Sequence, residues 1–163
     1  MIAKDPIKIA QWRSEVFNYT KHTIEYLARK IAKKFSREND LVLNLTDSDV
    51  NIPESNLNKI TEEIVDNAFK FSKAGTKVVV EAGNKNNDTL QFNVSNEGPG
   101  MTPEQINGIG AFQQFDRKMN EQQGSGLGLI IAKRMVELQG GKFIIISEPD
   151  KKTTVQITLS THA

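Results

Sequence analysis

The stretch GSGLGLIIAKR, residues 124–134, decides how the rest of the chain is read. Three glycines alternate with small or apolar residues, and the pattern turns helical at once. Glycine lets another group come close to the backbone. The first amides of a helix, backed by its dipole, favour an anion there. Two familiar phosphate loops do not fit. No GxxxxGK[ST] occurs in the chain, and a GxGxxG turn fails because position 129 is Leu and position 131 is Ile. The preceding DRKMNEQQ is no strand. Taken alone, GSGLG also suits an ordinary hinge.

Outward from this stretch, the periodicity assigns most of the chain. The helix at about 126–139 stops at Gly140 and Gly141. KFIIIS (142–147) and TVQITL (154–159) form a closing hairpin. Upstream, residues 96–124 break every period and hold one short helix at 103–108, where Thr102 and Gln105 stand at capping-box spacing. An irregular segment of that length in a compact domain is a lid or binding loop. KVVVEA (77–82) and LQFNVS (90–95) are strands joined by a polar turn, and LVLNLT (41–46) alternates as a half-buried strand does. Ser55–Ser72 is helical, with Leu57, Ile60, Ile64, Ala68 and Phe71 as its core face. Residues 5–37 read as one long helix. Asp5 and Pro6 open it, and Phe17, Ile24, Leu27, Ala28, Ile31 and Phe35 form its stripe. Arg29, Lys30, Lys33, Lys34 and Arg37 crowd its far end. The sum is an α+β, two-layer sandwich: a mostly antiparallel mixed sheet, helices on one face, and a long N-terminal helix.

Composition narrows the chemistry. With 21 Lys and Arg against 20 Asp and Glu, the net charge is +1, so no overall field points to nucleic acid. The absence of cysteine excludes disulfides, thiolate metal sites and thiol nucleophiles. No apolar run approaches the roughly 20 residues a membrane helix needs, and MIAKDPIKIA lacks an apolar signal core. A cytoplasmic protein without membrane contact from this chain is expected.

Two further segments carry polar chemistry. In EEIVDNAFK (62–70), Glu63, Asn67 and Lys70 are spaced four and three apart and share one helical face beside the core stripe. An amide oxygen suits Mg²⁺, which takes few protein ligands plus phosphate oxygens. A lysine one turn on can neutralise phosphate, and a carboxylate can orient or deprotonate a nucleophile. One helix with such a face is also what plain solvation produces. In NEGPGM (96–101), Gly98 and Gly100 bracket a proline in a tight turn straight after a strand.

In this order, the pieces resemble the ATP-binding domain of sensor histidine kinases, of the GHKL superfamily (Bergerat fold) shared with DNA gyrase and the heat-shock chaperone ATPases. EEIVDNAFKFS resembles the N box, NEGPGM the first glycine box, FQQFDRK (112–118) the F box, and GSGLGLIIAKRMVELQGG the second glycine box. The resemblance covers about 41–160. It implies that ATP and Mg²⁺ are the cofactors. Asn67 is implied as the metal ligand and Lys70 as a phosphate contact. Arg117 is implied at the terminal phosphate, Gly98 and Gly100 on the adenine side, and Gly124, Ser125, Gly126, Leu127 and Gly128 at the phosphates. The lid runs over about 101–123, anchored by Phe112 and Phe115. Residues 1–38 resemble the second helix of a dimerisation domain, leaving 39–163 as the catalytic domain.

Two positions depart from the family pattern. Asn96 stands where an Asp usually accepts from the adenine amino group, so the bond persists without charge. Glu63 stands where many histidine kinases have Asn, and resembles the water-activating base of gyrase and the chaperones. A third oddity is PDKKTT before the last strand, where a glycine is commoner. No acceptor motif of the HExxxP kind is present. His22 reads as a helix-surface residue and His162 lies in the terminal tail. The resemblance implies a protein histidine kinase domain that transfers the γ-phosphoryl to a histidine outside this chain. Its partners are then the dimerisation and phosphoacceptor domain of a homodimeric parent and a response regulator. A degenerate nucleotide-binding module, motivated by Asn96, and an ATPase or serine kinase using Glu63 as base are the alternatives.

Overall fold

In the computed structural model, residues 5–110 and 127–161 are described. Five strands form the main sheet in the order β2-β4-β5-β7-β6. They are β2 (Leu41–Leu45), β4 (Val78–Lys85), β5 (Thr89–Glu97), β6 (Lys142–Glu148) and β7 (Lys152–Ser160). Every pair is antiparallel except β2 with β4. Helices α2 (Thr20–Lys34), α3 (Glu54–Lys70) and α5 (Leu127–Leu138) bury their apolar sides with the inward residues of the sheet in one core. On β5 and β7 those inward residues are Leu90, Phe92, Val94, Val155, Ile157 and Leu159. Helix α4 (Pro103–Gly110) begins with the expected capping box. Thr102 N donates to Gln105 Oε1 (2.9 Å), and Gln105 N donates to Thr102 Oγ1 (3.2 Å). The two-layer α+β sandwich of the sequence reading is the observed architecture.

The long N-terminal helix is not. The segment forms α1 (Pro6–Ser14), a two-residue strand β1 (Val16–Phe17), and α2. The break has a tertiary cause. β1 pairs antiparallel with β3 (Val50–Asn51), so Val16 and Phe17 exchange helical for sheet bonds. Asn51 Nδ2 donates to Arg13 O at the end of α1 (3.1 Å). Asp47 then caps α2 from outside, accepting from Lys21 N (3.3 Å), while Thr20 Oγ1 donates to Ser48 O (2.7 Å). These caps come from residues about thirty positions downstream. Helix α2 packs Ile24, Ala28, Ile31 and Ala32 into the common core. Each fully buried isoleucine contributes about 2 kcal/mol relative to an exposed one, so α2 is a structural layer and not an appendage.

Two smaller expectations also change. Phe71, read as core, follows α3 and is 40% exposed, while Thr61, Val65 and Phe69 join the buried side of that helix. Arg37, read as one of the cations crowding the far end of a helix, is buried. Its Nε donates to Asp40 Oδ2 (2.6 Å). Nη1 donates to Phe69 O (2.9 Å) and Ser72 O (3.1 Å), and Nη2 to Lys73 O (2.7 Å) and Thr76 O (3.1 Å). The guanidinium also lies over the Phe69 ring, 5.1 Å from its centroid. One side chain thus takes up a carbonyl in the last turn of α3 and three in the loop that follows it.

Candidate functional site

The site is built on the second half of α3. Apolar residues at 57, 60, 64 and 68 turn one side of the helix into the core. That leaves Glu63 and Asn67 half-buried at its margin and Lys70 exposed at its end. Two glycines dock other elements on this stretch. A side chain at Gly128, in the first turn of α5, would run into the Glu63 carboxylate. A side chain at Gly98 would meet Phe71 O at 2.5 Å. The start of α5 and the turn after β5 therefore bracket α3, with Asn67 and Lys70 between them. Gly100 takes φ +77°, a conformation glycine adopts without strain, and lies against Ser147 and Glu148.

The three polar groups of α3 are not equivalent. Glu63 pairs with Lys59 (2.5 Å). The hydrogen bond to Glu63 raises the Lys59 pKa above its ordinary 10.5, against the opposing effect of burial. Asn67 and Lys70 make no side-chain hydrogen bond or ion pair among the described residues. Glu63 is therefore committed to a neighbouring cation, and the amide and ammonium are free to bind something else.

Gly128 acquires a reason that the sequence reading did not contain: its missing side chain makes room for Glu63. Gly128→Ala is expected to cost about 1 kcal/mol net, because the crowding exceeds the helix-propensity gain of alanine. In a Glu63→Ala background the same change should stabilise by roughly 0.5–1 kcal/mol. Thermal melts of the four proteins in this cycle check it; an unchanged sign in both backgrounds refutes the contact.

The sheet supplies the opposite wall. The inner face is apolar until its last row, where Asn96 on β5 stands across from Thr153 on β7, and Thr153 across from Ser147 on β6. Asn96 and Thr153 are both buried, at 8% exposure each. Ser147 Oγ lies 2.9 Å from Thr153 Oγ1 and accepts from Met101 N (2.7 Å), tying this row to the glycine turn. Asn96 Nδ2 makes one long bond to Glu97 O (3.4 Å), and its Oδ1 accepts none among the described residues. Thr153 and Ser147 were missed in the sequence, where PDKKTT read only as an oddity before the last strand and Ser147 only as the end of KFIIIS. The only local signal was a polar residue ending the inward alternation of each strand; that they line up in one row appears with the register.

Among the described residues, Glu63 meets Gly128 at the start of α5 and Gly98 meets Phe71 O just beyond Lys70, while Asn96 and Gly100 belong to the strand end and turn that carry Gly98, and Leu127 opens α5. Phe112, Phe115, Arg117, Gly124, Ser125 and Gly126 lie outside the described residues, as does His162. His22 is exposed on α2, as expected. No helix among the described residues is long and apolar enough to cross a membrane.

A two-layer sandwich whose central helix presents a free amide and ammonium between two glycine docks defines a domain of the Bergerat ATPase class. The chain belongs to the histidine kinase-, DNA gyrase B- and HSP90-like ATPase family, whose model matches residues 53–163. It is similar to the adaptive-response sensory kinase SasA of Prochlorococcus marinus, at 27% identity over 168 residues, covering 97% of this chain and 44% of the relative. It is similar to the histidine protein kinase SaeS of Staphylococcus aureus, at 35% identity over 108 residues, covering 63% and 30%. The chain spans less than half the length of either relative. Among solved structures, the mycobacterial sensor histidine kinase MprB superposes with a TM-score of 0.75 at 25% identity, covering 91% of this chain and 98% of that one. Full-length ShkA in complex with AMPPNP superposes at 0.71 with 21% identity, covering 91% and 32%, a likeness of fold.

Proposed function

We propose that this domain binds Mg·ATP and passes the γ-phosphoryl group to a histidine outside this chain, as the catalytic part of a two-component sensor kinase. The observation that carries the reading is the pair of uncommitted groups, Asn67 and Lys70, held between the docks at Gly128 and Gly98. ATP supplies the phosphoryl group and Mg²⁺ offsets its charge. The amide oxygen of Asn67 holds the metal, and Lys70 neutralises phosphate. The free Oδ1 of Asn96 accepts from the adenine amino group, more weakly than a carboxylate does. Gly98 and Gly100 shape that side of the pocket, and Leu127 and Gly128 open the helix that faces the phosphates. The roles of Gly124, Ser125, Gly126, Arg117, Phe112 and Phe115 rest on the resemblance alone. Catalysis by such a set is positioning and charge neutralisation.

The ATP-binding unit begins at α2, since α2 shares its core; α1 is then all that remains of the segment that resembles a dimerisation helix. The acceptor domain of a homodimeric parent and a cytoplasmic response regulator are its partners. The pairing of Glu63 with Lys59 argues against Glu63 as a hydrolytic base.

The test mixes the chain with a polypeptide carrying acceptor-histidine helices and γ-labelled ATP. Acid-labile label on the acceptor is expected. Calorimetric binding of Mg·ATP without any transfer overturns the kinase reading. No binding at millimolar nucleotide overturns the ATP site and leaves an interaction module. Steady phosphate release that Glu63→Gln abolishes would favour an ATPase.

A further inference from the structure

Strand β6 closes one side of the main sheet and pairs only with β7 among the described residues. On its other side, the backbone of Lys142–Ser147 makes no backbone hydrogen bond among the described residues. Such edges invite another strand, and natural proteins guard them with proline, bulges or inward charges. Here the seven residues KFIIISE contain no proline. Their register with β7 runs unbroken, and their inward positions are Phe143, Ile145 and Ser147. On the face away from the helices, Ile144 and Ile146 are 47% and 53% exposed. The only charges stand at the two ends, Lys142 and Glu148, both exposed, of opposite sign, and three residues either side of Ile145. Glu148 pairs with Lys151 at 3.7 Å and stands across from Lys152 on β7, exposed contacts that are easily exchanged.

We propose that β6 pairs antiparallel with β6 of a second copy of this chain, about a twofold axis at Ile145, so that the two sheets become continuous. In that register Lys142 faces Glu148 of the second copy, Ile144 faces Ile146, and each contact occurs twice. Directly opposite side chains are the unit of sheet stabilisation. This register puts both opposite-charge pairs and all four exposed isoleucines in that relation. A shift by two residues sets either Lys142 or Glu148 against an isoleucine and loses both charge pairs. The strand is self-complementary in charge, which selects a second copy over an unrelated strand. A twofold interface of this kind uses the same patch on both partners.

Sedimentation of the chain from about 1 µM to about 1 mM tests it, the upper range being needed because a single strand pair is a small interface. A concentration-dependent dimer is expected. Lys142→Glu and Glu148→Lys should each weaken it about tenfold or more, since each sets like charges opposite each other twice. The double swap should restore it, and an equimolar mixture of the two single variants should form a mixed dimer. All of these positions are exposed, and matched melting curves confirm that the variants fold. A monomer throughout the range overturns the proposal. So does a dimer indifferent to either single reversal, which places the interface elsewhere.

Discussion

Replacing Asn67 with alanine is expected to reduce Mg·ATP affinity by about 100-fold or more, the range in which losses around a metal's ligands fall. The argument is one of commitment. Among the described residues, the Asn67 side chain has no partner, so its removal takes no hydrogen bond from the fold and, on the proposed assignment, leaves the metal without its protein oxygen. The melting temperature of the nucleotide-free variant should stay within about 2 °C of the parent, as for a surface change away from structural features. Lys70→Ala should fall about tenfold by the same assay, since an exposed ammonium acts as a point charge on phosphate. Titration calorimetry with Mg·ATP and with ATP in chelator separates the two. The Asn67 variant should lose the difference between these conditions, and the Lys70 variant should keep it. An Asn67 variant that still discriminates between them sinks the metal assignment.

Arg37→Ala should destabilise the fold by about 3–5 kcal/mol, because removing one member of a buried, hydrogen-bonded set leaves the others unpaired. For a chain of this size that corresponds to roughly 10 °C in melting temperature. The carbonyls of Ser72 and Thr76 lose the Arg37 donor, while Phe69 O keeps only a long bond from Ser72 Oγ and Lys73 O keeps those from Thr76 N and Oγ1. Arg37→Lys should recover little, since an ammonium cannot reproduce a planar fork. The same knot sets a pH dependence. The hydrogen bond from Arg37, followed by one from Gly75 N, holds the Asp40 carboxyl below its ordinary 3.8. The unfolded chain then binds the proton first as pH falls. The contribution is present above 3.8 and is lost as pH drops through the lowered value. Asp40→Asn should therefore show a shallower acid limb than the parent in melts between pH 2 and 5. Equal limbs refute the coupling. The knot also matters to the site: it fixes the residues that follow Lys70, including the carbonyl on which Gly98 rests.

How much of this was legible in the sequence follows the range of the interactions. Strands β4 to β7, α3 and the stop of α5 at Gly140 announce themselves through local period and local caps, and they stand where expected. The face of Glu63, Asn67 and Lys70 follows from helical spacing alone. What local reading missed is held by distant partners. The break between α1 and α2 depends on Asp47 and Asn51, and nothing within residues 5–37 encodes it. Arg37 looks like any cation near a helix end until its carbonyl acceptors, thirty and more positions away, are in place. The role of Glu63 against Gly128 joins two helices more than sixty residues apart in sequence. The polar row of Asn96, Thr153 and Ser147 needs strand register, which a single sequence does not fix.

The span that the family model matches, 53–163, leaves out a helix that shares the core. A polypeptide trimmed to that boundary would discard the helix carrying Ile24, Ala28, Ile31 and Ala32 and lay open the side of α3 they cover. A polypeptide begun at residue 53 should melt below one begun at Asp5, which keeps those residues and the bond from Arg13 Nε to Leu138 O.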